Sequence, residues 1–434
     1  MRSVSCLAAG VKMFHYVDKP DASGAPKVLL LQGPVGPFFR DLQRGLQRDG
    51  FVVRRVLFNA GDRMFADEKD CVEFSGSLDD WGTWLRKELN RNRPEFIVLF
   101  GARRPLHCAA KQIAAIHGIQ VICLEEGYLR SGYVTCELGG NNDRSPLCNW
   151  APDVECSAQI PVPMQLASSH GALRVWSAIY YLVRDLNSAP SEEETFHRKR
   201  EGVGRLAWSW ASHMLARGYA WREVFTKLKK LQGALSGKYI LVTLQMPEDS
   251  QLKFAARGWS NEKLIEETML AQKNNGTEEA VVFKLHPLDR NVSKTRRFIK
   301  KTAKRLGLSD RVMVLNAGAI GEVVSHASGM IVINSTSAFS ALHHEVPILV
   351  LGDAIYRHQN LVTVGEDPTA IHDFMTKRSA KCKDSIDAFI RAVKVQALLP
   401  GDFYVAEGRK VAVDAISKKL AKELPLQQLE MGAA

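Results

Sequence analysis

The sequence predicts an α/β protein with a GT-B-like plan: two Rossmann-like domains that face a cleft and are joined by a helical connector. Three observations predict it. Short apolar runs recur along the 434 residues with helical patterns between them, which is the βα alternation of a parallel sheet. The runs fall into two sets, separated by a stretch from about Ala167 to Leu235 that contains none. Most of them end in polar residues, as strands do when their carboxyl ends line a binding crevice. A chain of this length is too long for one core. The expected division is a poorly ordered lead-in over 1–26, a first Rossmann-like domain over 27–165 and the connector over 166–235. A second domain follows over 236–385, and helices over 386–434.

In the first domain the runs are Val28–Leu31, Phe51–Phe58, Phe96–Phe100 and Ile119–Leu124. The first leaves through Leu31-Gln32-Gly33-Pro34-Val35-Gly36-Pro37 into a helix, and Gly33 and Gly36 allow backbone to approach a ligand closely or simply make a tight turn. The second ends in Asn59 and Asp62, the third in Arg103, Arg104 and His107, and the fourth in Glu125-Glu126-Gly127-Tyr128-Leu129-Arg130. Adjacent carboxylates at a strand end are costly unless solvated or paired, and Arg104 and Arg130 are candidates for that pairing. Four strands in a row ending in polar groups point to an active-site rim.

The connector carries Glu192-Glu193-Glu194, then Arg198-Lys199-Arg200, then Trp208, Trp210 and Trp221 among basic residues. Packing between domains is one reading of that face. Contact with lipid headgroups is the other, because Trp with Lys and Arg suits a membrane interface.

The second domain has runs at Tyr239–Leu244, Ala280–Leu285, Val312–Leu315, Gly329–Ile333 and Ile348–Leu351. After the first come Gln245 and Asp249, the latter either a helix N-cap or a carboxylate aimed at a sugar carbon. The second ends in Lys284, His286 and Pro287. The fourth breaks into Asn334-Ser335-Thr336-Ser337, opening a short helix from Ser337 to His344. A cation, an imidazole and a hydroxylated helix start at one crevice suggest a nucleotide-phosphate site.

Composition narrows the class. The chain is 46% hydrophobic and 24% charged, ordinary for a globular protein. No apolar stretch approaches the roughly 20 residues that span a bilayer. Eight cysteines without a Cys-x-x-Cys pair read as reduced thiols of a cytosolic protein. Neither zinc-ligand spacing nor an Asp-x-Asp pair is present, so no metal is expected. The net charge of +11 suits an anionic membrane surface, anionic substrates or merely solvated faces. Nucleic acid is disfavoured by the lack of a zinc finger or an RNA-binding aromatic motif.

The segments Leu31–Phe39, Phe58–Asp62, Gly101–His107, Glu125–Arg130, Gln245–Gln251, Lys284–Asp289 and Asn334–Leu342, closed by Leu351–Tyr356, stand in the order of one family. Over roughly residues 27 to 360 the chain resembles bacterial capsular polysaccharide biosynthesis/export proteins of the KpsS/LipB type, with relatives among rhizobial capsule and lipopolysaccharide-processing proteins. The resemblance implies a GT-B transferase that moves Kdo, a 3-deoxy-octulosonic acid, from CMP-Kdo to a lipid or glycolipid acceptor with retention, without a cofactor. It implies work at the cytoplasmic face of an anionic inner membrane, beside other capsule biosynthesis or export proteins. Asp249 matches the family's catalytic carboxylate. His286 and Pro287 match its His-Pro motif at the CMP phosphate, and Ser335, Thr336 and Ser337 match its hydroxyl cluster. Glu126 and Arg130 match the acidic-Gly-aromatic-x-Arg segment at the cleft. Gln32, Gly33, Gly36, Asn59, Asp62, Arg104 and Gln245 are expected on the acceptor side.

The chain departs from the pattern at Ser131-Gly132-Tyr133, at Asn141-Asn142-Asp143-Arg144-Ser145, at Ala338 and at Arg357-His358-Gln359-Asn360. The first two departures lie in the half expected to face the acceptor. A non-catalytic capsule assembly, chain-length or export factor on the same fold is the alternative, and an epimerase or hydrolase a weaker one.

Overall fold

The computed structural model describes residues 24–129, 131–152, 159–165, 169–195, 204, 223–246, 249–276, 278–286, 289 and 292–424. Its first domain contains β1 (Lys27–Leu30), α1 (Phe38–Arg48), β2 (Val52–Leu57), α2 (Ala60–Met64), β3 (Cys71–Glu73), α3 (Leu78–Asn92), β4 (Phe96–Phe100), α4 (Pro105–Ile116), β5 (Gln120–Glu126) and β6 (Tyr133–Leu138). After α5 (His170–Asn187) and a helical segment at 223–232, the second domain runs through β7 (Tyr239–Thr243), α6 (Ser250–Phe254), α7 (Asn261–Asn275), β8 (Ala280–Lys284), α8 (Val292–Leu306) and β9 (Val312–Leu315). It continues with α9 (Ile320–Val324), β10 (Gly329–Val332), α10 (Ala338–His343), β11 (Ile348–Val350), β12 (Thr363–Val364), α11 (Pro368–Thr376) and α12 (Lys383–Gln396). Last come β13 (Leu398–Pro400) and α13 (Ala406–Glu423).

The sheet orders are β3-β2-β1-β4-β5-β6-β13 and β9-β8-β7-β10-β11-β12. The second sheet is parallel throughout; the first is parallel up to β5. Strand order reverses between β1 and β4 and again between β7 and β10, so each domain has a switch-point crevice at its strand ends. Helices cover both faces, which is why β4 and β7 are buried at every residue and read as continuous apolar runs. This is the GT-B-like plan that the sequence predicts.

Three features differ from the sequence reading. β5 continues past Leu124, because its antiparallel partner β6 pairs Glu125 with Thr135 and Glu126 with Val134; the ladder holds although the side chains turn polar. The short strands β3, β6, β12 and β13 carry too little apolar signal to stand out. Residues beyond 385, expected as helices alone, include β13, which pairs with β6, and α13, which packs on α1. Gly45 makes that packing close, since a Cβ there would lie 2.2 Å from Val413 Cγ1. Arg409 pairs with Asp41 at 2.7 Å and Arg48 with Asp414 at 2.9 Å across the same seam.

Within the connector, contacts are described for α5. α5 docks on the first domain: Trp176 Nε1 donates to Tyr404 O at 3.0 Å and Tyr180 OH to Asp62 at 2.9 Å. α5 thus packs on the first domain, which leaves the two readings of the basic, Trp-bearing face untouched. The basic stretch with Arg198, Lys199, Arg200, Trp208, Trp210 and Trp221 lies outside the described residues, as do residues 1–23 of the lead-in.

The α1–α13 seam makes a test. Gly45→Leu should destabilise the protein by about 1–3 kcal/mol through overpacking, and Val413→Ala in the same chain should recover part of the loss. Urea denaturation of both variants measures this; a neutral Gly45→Leu would mean that α13 does not dock there.

Candidate functional site

Alternation along the second sheet places one set of side chains toward the first domain. Leu241, Val282 and Val332 share a core with Tyr128, Tyr133 and Leu147, and two residues further along their strands stand Thr243, Lys284 and Asn334. Thr243 pairs with Lys284 in register. Thr243 Oγ1 lies 3.1 Å from Ser337 Oγ, which lies 2.8 Å from Ser335 Oγ. Tyr356 OH donates to Ser335 O at 2.7 Å and pins this loop. The end of β7 is clamped by Asn261, whose Nδ2 donates to Gln245 O at 2.7 Å while its Oδ1 accepts from Gln245 N–H at 3.3 Å.

Among the described residues, four polar atoms at these strand ends are buried without a hydrogen-bond partner: Gln245 Oε1, Lys284 Nζ, Asn316 Oδ1 and Asn334 Oδ1. Each such atom costs about 1–3 kcal/mol when nothing pairs with it, and more when charged. Polar orphans on four neighbouring strands of one edge leave bonding capacity that a polar ligand could complete. Burial alone pushes the Lys284 ammonium down to about 8, and an anion beside it would restore its charge.

The helix start contributes less than the sequence suggests. α10 has six residues, and Ser337 makes no side-chain cap. The N–H groups of Ala338 and Phe339 already donate to Ser335 O and Thr336 O. Attraction for phosphate therefore has to come from the hydroxyls and Lys284, not from a free helix terminus. His286 is half-buried beside Lys284; Pro287 lies outside the described residues. Asp249 is the N-cap of α6, with Oδ1 accepting from Gln251 N–H at 2.9 Å, and remains partly exposed.

Across the cleft, β5 ends in Glu125 and Glu126. The Glu125 carboxyl is pushed up to about 7, first by burial, then by Glu126, with Asp249 of the other domain adding to the effect and Arg104 opposing it. Three carboxylates thus converge from two domains. Glu126 accepts from Tyr404 OH at 3.1 Å. Arg104 Nη1 donates to Gln32 Oε1 at 2.9 Å and to Gly33 O at 3.1 Å, so it acts on Glu125 through space, not by a direct bond. Arg130, the other expected partner, lies outside the described residues. The domains are held together by Tyr128 stacked on Phe339 at 6.1 Å, by Arg103 over the Phe254 ring at 5.5 Å, and by His358 Nε2 at 3.1 Å from Leu147 O.

Several residues expected on the rim are inside. Asp62 accepts from Phe58 N–H, Asn59 Nδ2, Gln32 Nε2 and Tyr180 OH, and Gln32, Asn59 and Asp62 are all buried. Asn59 also caps α2. They form a knot that seats α5, because a buried carboxylate needs this many donors. Gly33 and Gly36 likewise serve packing: a Cβ would meet the Phe39 ring at 2.5 Å and Trp176 at 2.9 Å, and Gly36 has φ +98°. The site also contains residues that the sequence reading did not select. Asn334 and Asp353 stand inside motifs it quoted. Thr243 and Asn316 carry no signal beyond a polar residue at the end of an apolar run.

Residues 95–404 match the family model described as capsule polysaccharide biosynthesis protein. The capsule polysaccharide export protein KpsS of Escherichia coli is 31% identical over 356 residues, covering 80% of this chain and 89% of that protein. The capsule polysaccharide modification protein LipB of Neisseria meningitidis is 30% identical over 348 residues, covering 76% and 81%. Among solved structures, the β-Kdo 2,7 transferase KpsC of Thermosulfurimonas dismutans is 12% identical with a TM-score of 0.42, covering 92% of this chain and all of that one. Anabaena Alr3699/HepE in complex with UDP and glucose is 10% identical with a TM-score of 0.35, covering 92% and 98%. From the family model and the two relatives together, the chain belongs to the capsule polysaccharide biosynthesis protein family.

Proposed function

We propose that this protein is a glycosyltransferase that moves Kdo from CMP-Kdo to a lipid or glycolipid acceptor with retention of configuration. The observation that carries the reading is the buried, unpartnered Lys284 ammonium, set in register with the hydroxyl chain Thr243–Ser337–Ser335. That is a pre-formed seat for one anionic group. His286 and Lys284 would offset the charge on the departing CMP phosphate, so the mechanism calls for no metal. A net charge of +11 suits an anionic donor and an acceptor presented at an anionic membrane surface.

Two successive inversions give retention. An Asp249 carboxylate oxygen attacks the anomeric carbon of Kdo; the bond to the phosphate oxygen breaks, and CMP leaves with its electron pair. The acceptor hydroxyl then attacks the same carbon, its proton passes to the Glu125–Glu126 pair, and Asp249 is released. A carboxyl held near 7 is suited to taking that proton at neutral pH.

Purified protein incubated with CMP-Kdo and a panel of lipid acceptors, followed by CMP release and product mass, tests the activity. No release with any acceptor would favour a non-catalytic assembly or export role. Asn is as good an N-cap as Asp, so Asp249→Asn should fold and bind CMP normally. It should lose transfer at least about a thousandfold, roughly 4 kcal/mol of barrier. Near-normal transfer by that variant excludes the nucleophile. Protein trapped with donor should carry a Kdo-sized adduct on the Asp249 peptide, and EDTA should leave activity unchanged.

The phosphate seat has its own test. His286→Ala should weaken CMP binding by about 1.5–3 kcal/mol, read by calorimetry; unchanged affinity would remove His286 from the seat.

Lys284→Met should likewise weaken CMP binding but should raise the melting temperature, because it removes an uncompensated buried charge. The sign with pH follows from linkage. With the folded-state value near 8 against 10.5 for a free lysine, the unfolded chain holds more protons between those pH values. Wild type therefore gains stability from this group as pH rises from about 8 to 10.5. The difference between wild type and Lys284→Met should shrink over that window. A Lys284→Met protein that is less stable at neutral pH would show the lysine to be structural.

A further inference from the structure

Outside the cleft, α8 concentrates charge of one sign. Its 15 residues hold seven cations and no acid. Ile299, Thr302 and Ala303 are buried against the second domain. At about 100° of turn per residue, Lys294, Arg297, Lys301 and Lys304 fall on the opposite side, and all four are exposed. They make a stripe roughly 15 Å long. Among the described residues, no side-chain hydrogen bond or ion pair engages any of the four. The cations at the margins differ: Arg296 pairs with Glu223, and Arg305 with Glu266 at 3.0 Å. The acids that reach α8 from neighbouring helices are thus held beside the stripe, not on it.

The fold gains little from such a stripe. Like charges three and four positions apart on a helix repel. Lys304 lies in the last turn, where a cation is favoured, but Lys294 lies near the helix start, where the dipole opposes it. A face kept for solubility mixes both signs, as neighbouring α7 does with Glu262, Lys263, Glu266 and Glu267. Solvated lysines would account for the stripe alone, but not for the aromatic ring exposed next to it.

That ring is Phe225, on the helical segment at 223–232, which the Arg296–Glu223 pair joins to α8. Leu228 and Leu231 seat the segment on the core, and Lys227 Nζ donates to Val314 O of β9 at 2.8 Å. Outward it shows Phe225, 56% exposed, with Lys229 Nζ 5.6 Å from the ring centroid. A ring flanked by ammonium groups suits the headgroup boundary of a bilayer, where the ring enters the acyl region and the cations meet phosphates. An isolated ring gives no stacking platform for a nucleic-acid strand. We propose that the exposed stripe of α8, with Phe225 and Lys229 beside it, docks the second domain on an anionic lipid surface. α8 follows the carboxyl end of β8, so the docking face begins beside the cleft. Docking does not require sugar transfer, and either can fail without the other.

Co-sedimentation of the full chain with vesicles of phosphatidylcholine, alone or mixed with phosphatidylserine, tests it. Wild type should bind the mixed vesicles, release them as salt rises, and bind the neutral ones weakly. A variant with Lys294→Gln, Arg297→Gln, Lys301→Gln and Lys304→Gln keeps good helix formers. It should lose about a hundredfold or more in binding, since each cation near such a surface is worth about fivefold. Its melting temperature should match or exceed that of wild type, because repulsion along α8 is relieved; a lower one would show the cations to be structural and overturn the docking role. Phe225→Ser should weaken binding severalfold with the same dependence on salt. Equal binding of wild type to both kinds of vesicle, or to neither, overturns the proposal, as does full retention of binding by the four-site variant. Binding to heparin without binding to vesicles would make the stripe a site for soluble polyanions and overturn the lipid assignment.

Discussion

A lysine ammonium buried at the end of β8 with no hydrogen-bond partner is the constraint on which the second domain's site turns. Desolvation disfavours its charged form, and among the described residues no acid offsets it, so the group costs stability in the folded state. The surrounding sheet tolerates the cost because β7, β8 and β10 are buried at nearly every residue and their hydrophobic contacts are extensive. Neighbouring strand ends repeat the pattern with the orphaned amide oxygens of Gln245 and Asn334. Unsatisfied polar atoms cluster at functional sites because a ligand, not the fold, completes their bonding.

Asp62 of the first domain stands in contrast: this buried carboxylate is fully provided with donors, and the knot it forms anchors α5 to the sheet. The carboxylates that do reach the cleft are Glu125 and Glu126, on the β5 ladder. Their position on a paired strand keeps Glu125 from turning away into solvent, and the approach of Asp249 from the other domain adds to the pressure on its proton. Proton affinity at this edge is therefore a property of both domains together.

That coupling depends on how the chain returns. Phe389 and Val393 of α12 lie in the core that Tyr128, Leu147 and the second sheet share, and β13 then enters the first sheet beside β6. The chain crosses between domains through the connector and again through this return. With Tyr128 on Phe339 and Arg103 over Phe254, the cleft is braced from several sides, and its acceptors and cations hold a set spacing.

The sequence by itself determined the alternation of strands and helices, the division into two domains and the polar character of the strand ends. These are local matters: a strand buried on both faces must be apolar along its length, and the residue after it must face either solvent or a ligand. Lys284, His286, Asp249 and the Ser335–Ser337 cluster could be picked out for that reason. Only the tertiary structure decided which polar ends are satisfied. Asp62 and Gln32 look like rim residues until the hydroxyl of Tyr180, more than a hundred positions away, closes over them. Asn334 and Asp353 look like ordinary loop residues until the bond to Gln251 and the ion pair with Arg257 leave their oxygens facing one pocket. The strand β13 was illegible because three residues carry little periodic signal, and its place in the first sheet follows from a partner more than two hundred and fifty positions earlier. Pattern along a chain reports what each residue prefers; satisfaction of a buried polar atom depends on partners that the pattern does not contain.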